Sequence, residues 1–283
     1  MAFQTIDVKP IAGALGAEVS GADLSQDLGN KAFDEIHQAF LDHHVLFFRD
    51  QTLTPQQQVG FSRRFGPLGI YPFVAPLPEA EEVIEIVKTE KDTKNFGGAW
   101  HSDTSYLETP ALATVLYAHE VPDAGGDTLY ANMHLAYESL SDGMKEMLDG
   151  LIGVNSAALT AGGGRAMNMK QRKGMNEQNM ELADNLVAEH PVVRTHPDTG
   201  RKSLYINGVH TARIKGMTEE ESKPLLRYLC EHATRPEFTC RFRWTPGALA
   251  IWDNRCTQHY AINDYSGVRR RMHRTTVVGA RPN

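Results

Sequence analysis

Apolar residues fall along this chain in short β-rich runs and in helical stripes. Residues 1–25 alternate as short strands joined at Gly13, Gly16 and Gly21. From Lys31 to Asp42, Phe33, Ile36, Ala39 and Phe40 recur at helical spacing. HVLFFRD (44–50) predicts a central strand. Thr54-Pro-Gln-Gln57 opens a second helix in capping-box form, with proline at its first position, and Phe65-Gly66-Pro67 closes it. Strands are predicted at Ile84–Val87, Ala113–Ala118 and Asp127–Tyr130, the last two flanking Gly125-Gly126. A helix is predicted over 133–149, with Leu135, Tyr137, Leu140, Met144 and Met147 inward.

The C-terminal third is clearer. PVVRTHPDTGRKSLYI (191–206) is two β-rich runs joined by a Pro-Asp-Thr-Gly turn, and 218–234 is an amphipathic helix. FTCRFRW (238–244), a Pro246-Gly247 turn, ALAIWDN (248–254) and HRTTVVG (273–279) add strands. Many short strands with helices at their flanks predict a mainly β chain, an antiparallel double-sheet jelly roll. No repeat or linker divides residues 1–283, which predicts one domain. Residues 160–188 break the pattern, with clustered glycines and no clear period, and predict a lid insertion. The four methionines of that stretch fit ordinary packing of a helix equally well.

Composition narrows the class: 41% hydrophobic, 23% charged and a net charge of −6, without a like-charge block that would predict nucleic-acid binding. One basic patch, Val268–Arg274, remains to be explained. Three scattered cysteines, Cys230, Cys240 and Cys256, suit neither a disulfide framework nor a thiolate cage. Neither a signal peptide nor a membrane-spanning apolar run is evident, so a cytoplasmic chain is expected.

Candidate chemistry begins at WHSDTSY (100–106). The 12 histidines predict about half an H-x-D by chance, yet two occur, so setting must decide between them. His196-Pro-Asp198 lies in HPDTG, where a turn sends the side chains apart, so Asp198 is read as a turn former. His101 and Asp103 lie in a predicted strand, where residues i and i+2 share a face and can share one ion. Trp100 would then face the other layer or cover the site. ALAIWDNRCTQHYA places His259 just after a core strand, in a polar turn. One carboxylate and two imidazoles suit ferrous iron and leave three positions open. Alternation puts Arg270, Met272 and Arg274 on one face of the last strand. An inward pair of arginines implies anionic ligands, because burying guanidinium without an anion is costly.

Together, WHSDTSYLETP, GGDTLY, IWDNRCTQHYA and RRRMHRTTV, in this order, resemble the taurine dioxygenase family of Fe(II)/2-oxoglutarate-dependent oxygenases. The resemblance runs from IAGALGAEVSGADL to the final strand. It implies a double-stranded β-helix of cupin type, with His101, Asp103 and His259 as iron ligands. Thr128 and Arg270 would hold the distal carboxylate of 2-oxoglutarate, and Arg274 would meet an anionic group on the substrate. Dioxygen is the second co-substrate, and succinate and carbon dioxide are the co-products. A homodimer or homotetramer is implied.

Taurine enzymes of the family are expected to carry a histidine after the early FG motif and an asparagine before H-x-D. Here Tyr71 and Gly97 stand near those places, and Tyr71 keeps a hydroxyl donor. GMTEEESKPLLRYLCEHATRPEFTCRFRW is also similar to the aryloxypropionate dioxygenases of the family, and His210 falls where a pocket-lining aromatic is expected. The expected substrate is therefore a small organic anion: an alkylsulfonate such as taurine, an alkyl sulfate or an aryloxyalkanoate. A rival reading keeps the fold as a cupin-like metal protein with a hydrolytic or sensing role, and leaves Thr128 and Arg270 without work.

Overall fold

The computed structural model describes residues 3–159 and 172–283. The first half of the predicted insertion, up to residue 171, lies outside the described residues. The chain runs β1 (Asp7–Pro10), β2 (Ala17–Ser20), α1 (Asn30–His43), β3 (Val45–Phe48) and α2 (Pro55–Arg63). Next come β4 (Leu68–Gly69), β5 (Pro76–Leu77), β6 (Ala80–Lys88), β7 (Ala111–Glu120) and β8 (Thr128–Asn132). They are followed by α3 (Met133–Glu138), α4 (Asp142–Leu148), β9 (Ile152–Ser156), β10 (Val187–Pro191), β11 (Val193–Thr195), β12 (Lys202–Leu204) and β13 (Thr211–Ile214). Last are α5 (Glu219–Ala233), β14 (Thr239–Phe242), β15 (Leu249–Asp253), β16 (Thr257–Ala261) and β17 (Arg270–Val278).

Two sheets face each other. The larger has nine strands in the order β1-β2-β3-β15-β7-β17-β6-β5, with β4 pairing β17. The smaller has the order β14-β8-β16. Consecutive residues of the large sheet serve opposite faces. Val45, Phe47, Ala250, Trp252, Leu116 and Met272 point into the sandwich, with Tyr130 and Phe242 of the small sheet. Leu46, Phe48, Leu249, Ile251 and Val115 point outward, onto Ile36 and Phe40 of α1 and Phe61 of α2. This explains why VLFF and LAIW are apolar on every residue: their strands are covered on both sides.

Local signals agree. Thr54 accepts from the Gln57 backbone at 3.2 Å while Gln57 accepts from the Thr54 backbone at 2.8 Å, and Thr218 with Glu221 repeats the device for α5. The helix expected over 133–149 is in fact two. Ser141 caps α4, accepting from the Met144 backbone at 3.3 Å, and the break leaves Met147 exposed. Of the 160–188 insertion, residues 176–178 are tied to residues 73–75 by backbone hydrogen bonds, and Met175 is buried in the sandwich core. Among the described residues no helix is long and apolar enough to cross a membrane.

HPDTG forms the expected turn, but its two side chains have a further role, joining one ion-pair network at and just past the end of β15. His196 Nε2 donates to Asp253 Oδ2 at 3.0 Å, and Arg255 grips Asp253 through Nε at 2.8 Å and Nη2 at 2.6 Å. Arg255 Nη1 then donates to Asp198 Oδ2 at 2.6 Å. Asp198 is an ion-pair partner, a role invisible without the long-range contact. Asp253 is fully buried, and Arg255 is nearly so.

Beside this knot lie the buried His44 and His134. Burial, first of all, pushes their pKa values down to about 3 and about 4. An unfolded chain binds protons there near pH 6.5, so it holds more protons than the folded one between about pH 4 and 6.5. Stability should therefore fall as pH drops through that window, read as a lower urea midpoint at pH 4.5 than at pH 7. Asp253→Ala should cost about 3–5 kcal/mol in urea unfolding, because it strands a buried guanidinium. Asp198→Ala, at a half-exposed carboxylate, should cost much less.

Candidate active site

Antiparallel pairing builds the centre of the site. The segment before residue 103 lies along the free edge of β16: Ala261 N donates to Gly97 O at 3.0 Å, and His101 and His259 exchange backbone bonds of 3.1 and 2.8 Å. Residues directly opposite in such a pair present their side chains on one face. Their ring centroids are accordingly 4.2 Å apart. His259 thus belongs to a strand and not to the polar turn expected for it. His101 is a single bridge residue, and the chain leaves through a turn in which Thr104 has φ 52. That turn, and not strand alternation, brings Asp103 to the imidazoles.

The three ligand atoms lie within 4.8 Å of one another, and all three residues are buried. Asp103 Oδ1 is 3.7 Å from His101 Nε2 and 3.1 Å from Arg274 Nη2, while Oδ2 accepts from the Thr114 hydroxyl at 2.7 Å. Burial opposes the carboxylate charge, but the Arg274 guanidinium above all, with the Thr114 hydroxyl, overcomes it and holds Asp103 well below the usual range. Burial, then His101, pushes His259 far down, so its imidazole is neutral at pH 7. His101 Nδ1 lies 2.7 Å from Ala99 O, a pure acceptor, so Nδ1 carries a proton and Nε2 is the nitrogen left to face Asp103. Two imidazoles and one carboxylate fit a divalent iron.

The two predicted arginines point inward as alternation required. Arg270 makes no ion pair among the described residues, and its buried Nε and Nη2 find no protein acceptor there. Burial pulls its pKa below the ordinary arginine value. Its guanidinium lies 5.8 Å over Trp244, whose Nε1 donates to Thr128 Oγ1 at 2.9 Å. Thr128 and Arg270, on opposite sheets, are thus linked through one indole. An arginine so placed suits a carboxylate. Arg274 stands over the Tyr71 ring at 5.1 Å. Its outward neighbours on β17 behave differently: Arg271 pairs with Glu120 at 2.9 Å and with Glu85 at 3.3 Å. This divides the basic patch into a working face and a salt-bridged face.

A cavity of about 340 Å³ opens on the trio, lined by His101, Asp103, Tyr71, Phe96, Tyr106 and His210. Tyr71 and His210 thus line the same cavity as His101 and Asp103. Gly97 also lines it, at φ 77, and a Cβ there would sit 3.3 Å from His101 Cε1, so any side chain at this position would crowd that imidazole. Trp100 turns away from the cavity and packs against Tyr260. Sequence reasoning passed over Lys94, Asn95 and Arg172, which also line the cavity, and Thr114, Asn254 and Trp244 behind it. Their loops carry no period, although a threonine inside ALATVL and an asparagine after IWD were legible as polar interruptions.

Two other buried groupings have equally close ligand atoms: His44, His134 and Cys256, and His196, Asp253 and Cys256. Both belong to the knot below β15, where Arg255 already engages both oxygens of Asp253.

Residues 7–276 match the family model described as "Taurine catabolism dioxygenase TauD, TfdA family". The chain belongs to this family. It is 36% identical to an alpha-ketoglutarate-dependent sulfate ester dioxygenase of Pseudomonas putida, over 98% of this chain and 91% of the relative. It is 34% identical to an alpha-ketoglutarate-dependent 2,4-dichlorophenoxyacetate dioxygenase of Cupriavidus pinatubonensis, over 97% and 98%. The crystal structure of AAD-2 with Mn(II) and N-oxalylglycine superposes with a TM-score of 0.80 at 31% identity, covering 99% of both chains. As a TauD/TfdA enzyme the chain is a dioxygenase that uses iron(II), 2-oxoglutarate and dioxygen. Its jelly roll, predicted from strand count, is the fold of those neighbours.

Proposed function

We propose that this chain hydroxylates a small organic anion, with alkyl sulfates and aryloxyalkanoates ahead of taurine. His101, Asp103 and His259 hold the iron in this reading. Thr128 and Arg270 hold the distal carboxylate of 2-oxoglutarate, and Arg274, Tyr71 and His210 meet the substrate. The observation that carries it is the pair of buried arginines on one strand face, four residues and about 13 Å apart along β17. Two such cations beside one carboxylate call for further negative charge, and the reaction brings two organic anions.

Iron(II), when bound, supplies oxygen activation, driven by decarboxylation of 2-oxoglutarate to succinate and carbon dioxide. The protein's share is binding, orientation and exclusion of water. Arg270 fixes 2-oxoglutarate at its far end, Thr128 adds a hydroxyl, and Trp244 bars solvent between them. A hydroxylated carbon that bears a sulfate or aryloxy oxygen collapses to a carbonyl compound as the C–O bond breaks and the leaving group departs. Tyr71 and Gly97 support the move away from taurine, since neither repeats the polar residues expected of taurine enzymes. The sulfate ester and dichlorophenoxyacetate relatives support the two classes named first. A homodimer or homotetramer in the cytoplasm completes the reading.

Succinate formation with Fe(II), ascorbate and oxygen is the test, run with taurine, alkyl sulfates and both enantiomers of an aryloxypropionate. Stimulation by a sulfate ester or an aryloxyalkanoate is expected; stimulation by taurine alone would overturn the substrate order. Arg270→Ala should weaken 2-oxoglutarate binding roughly 10- to 150-fold, the equivalent of about 1.5–3 kcal/mol for a charge-assisted hydrogen bond. Unchanged co-substrate affinity in that variant would sink the assignment of Arg270.

A further inference from the structure

Behind Asp103 lies a closed chain of hydrogen bonds whose proton positions follow from valence alone. Asn254 Oδ1 accepts from the Asp103 backbone at 3.1 Å and from Trp252 Nε1 at 3.0 Å. Both partners are obligatory donors, so the amide oxygen must face them and Nδ2 must face the other way. There it donates to Thr114 Oγ1 at 2.9 Å. A hydroxyl has one proton. Asn254 Nδ2 can only donate to it and an ionised carboxylate can only accept, so Thr114 directs that proton at Asp103 Oδ2, 2.7 Å away. Thr114 and Asn254 are wholly buried, and Trp252 and Asp103 are only 2% and 3% exposed, so no water competes for these bonds.

We propose that Thr114 and Asn254 are positioning residues that anchor one oxygen of Asp103 and thereby make it a one-oxygen metal ligand. The inference rests on Asp103 being a ligand, as proposed above. Oδ2 is committed to Thr114, turned away from the imidazoles, while Oδ1 faces His101 Nε2 at 3.7 Å with Arg274 Nη2 beside it at 3.1 Å. One-point ligation by Asp103 keeps three of six octahedral positions open. A carboxylate free to rotate and bind through both oxygens would close one of them. Two donors of 2-oxoglutarate and one dioxygen need all three. The position of Thr114 strengthens the point. It sits in ALATVL at an inward site of β7, beside Trp252 across the strand pair, where valine would pack as well and offer no proton.

The test is divalent metal binding by the full-length protein, with Mn2+ as the probe and calorimetry plus Mn2+ electron spin resonance as readouts. Thr114→Val should weaken Mn2+ binding about 10- to 100-fold, the usual effect of removing an outer partner of a metal ligand. Its resonance spectrum should change too, because the carboxylate binding mode changes. Thr114→Ser keeps the hydroxyl and should restore both properties. Thr114→Ala serves if the valine variant does not fold, and thermal unfolding without metal monitors the fold. Wild-type Mn2+ affinity and spectrum in folded Thr114→Val or Thr114→Ala, with Asp103→Ala devoid of binding, would overturn this inference alone. Wild-type affinity in Asp103→Ala would instead overturn the ligand assignment, and the inference with it.

Discussion

An ionised carboxylate shut away from water is the constraint around which this structure is arranged. Asp103 is 3% exposed, and a bare charge at that depth would take up a proton sooner than stay. It stays charged because each oxygen is engaged: one by Arg274, with His101 3.7 Å away, and the other by the Thr114 hydroxyl. Those partners come from β17, β7 and the edge of β16, so the charge is tolerated only if three distant stretches of chain meet. Folding and site assembly are one event here. The apolar part of the sandwich, from Phe47 to Met272, supplies the driving force, and its polar end supplies the ligands.

Strand register then does the positioning. His259 faces Tyr130 across β8 and faces His101 on its other side, which fixes both imidazoles on the inner surface. A slip of one residue in β17 would bring Arg271 and His273 inward and expel Arg270 and Arg274. That slip is resisted on both flanks. β17 pairs with β7 on one side and β6 on the other, and its outer residues are tied by ion pairs to Glu85 and Glu120.

How much of this was legible follows from how local each signal is. Helical spacing announced α1 and α5, a capping box α2, and continuous apolar runs the central strands, because their causes lie within a few residues. The inward pair Arg270 and Arg274 was legible by alternation alone. His259 was misplaced into a turn because Gln258 and His259 make β16 polar for the sake of the site and its backing, which hides a strand from a hydrophobicity rule. Gln258 satisfies itself by donating to Ile206 O at 2.8 Å, a partner 52 residues away. The roles of Asp198, Thr114 and Trp244 were unreadable for the same reason: each depends on a partner more than 10 residues distant. The paired helices α3 and α4 were read as one because the apolar period continues across the break that Ser141 makes.

The parts of the site are not equally free to vary. The trio of His101, Asp103 and His259 hangs on a strand bridge and one tight turn, and both arginines sit on β17, an inner strand of the large sheet. Tyr71, Gly97, Arg172 and His210, which shape the cavity, all lie on connections between strands. What the cavity accepts is therefore set by a few loops that can be redrawn without moving the strands behind them.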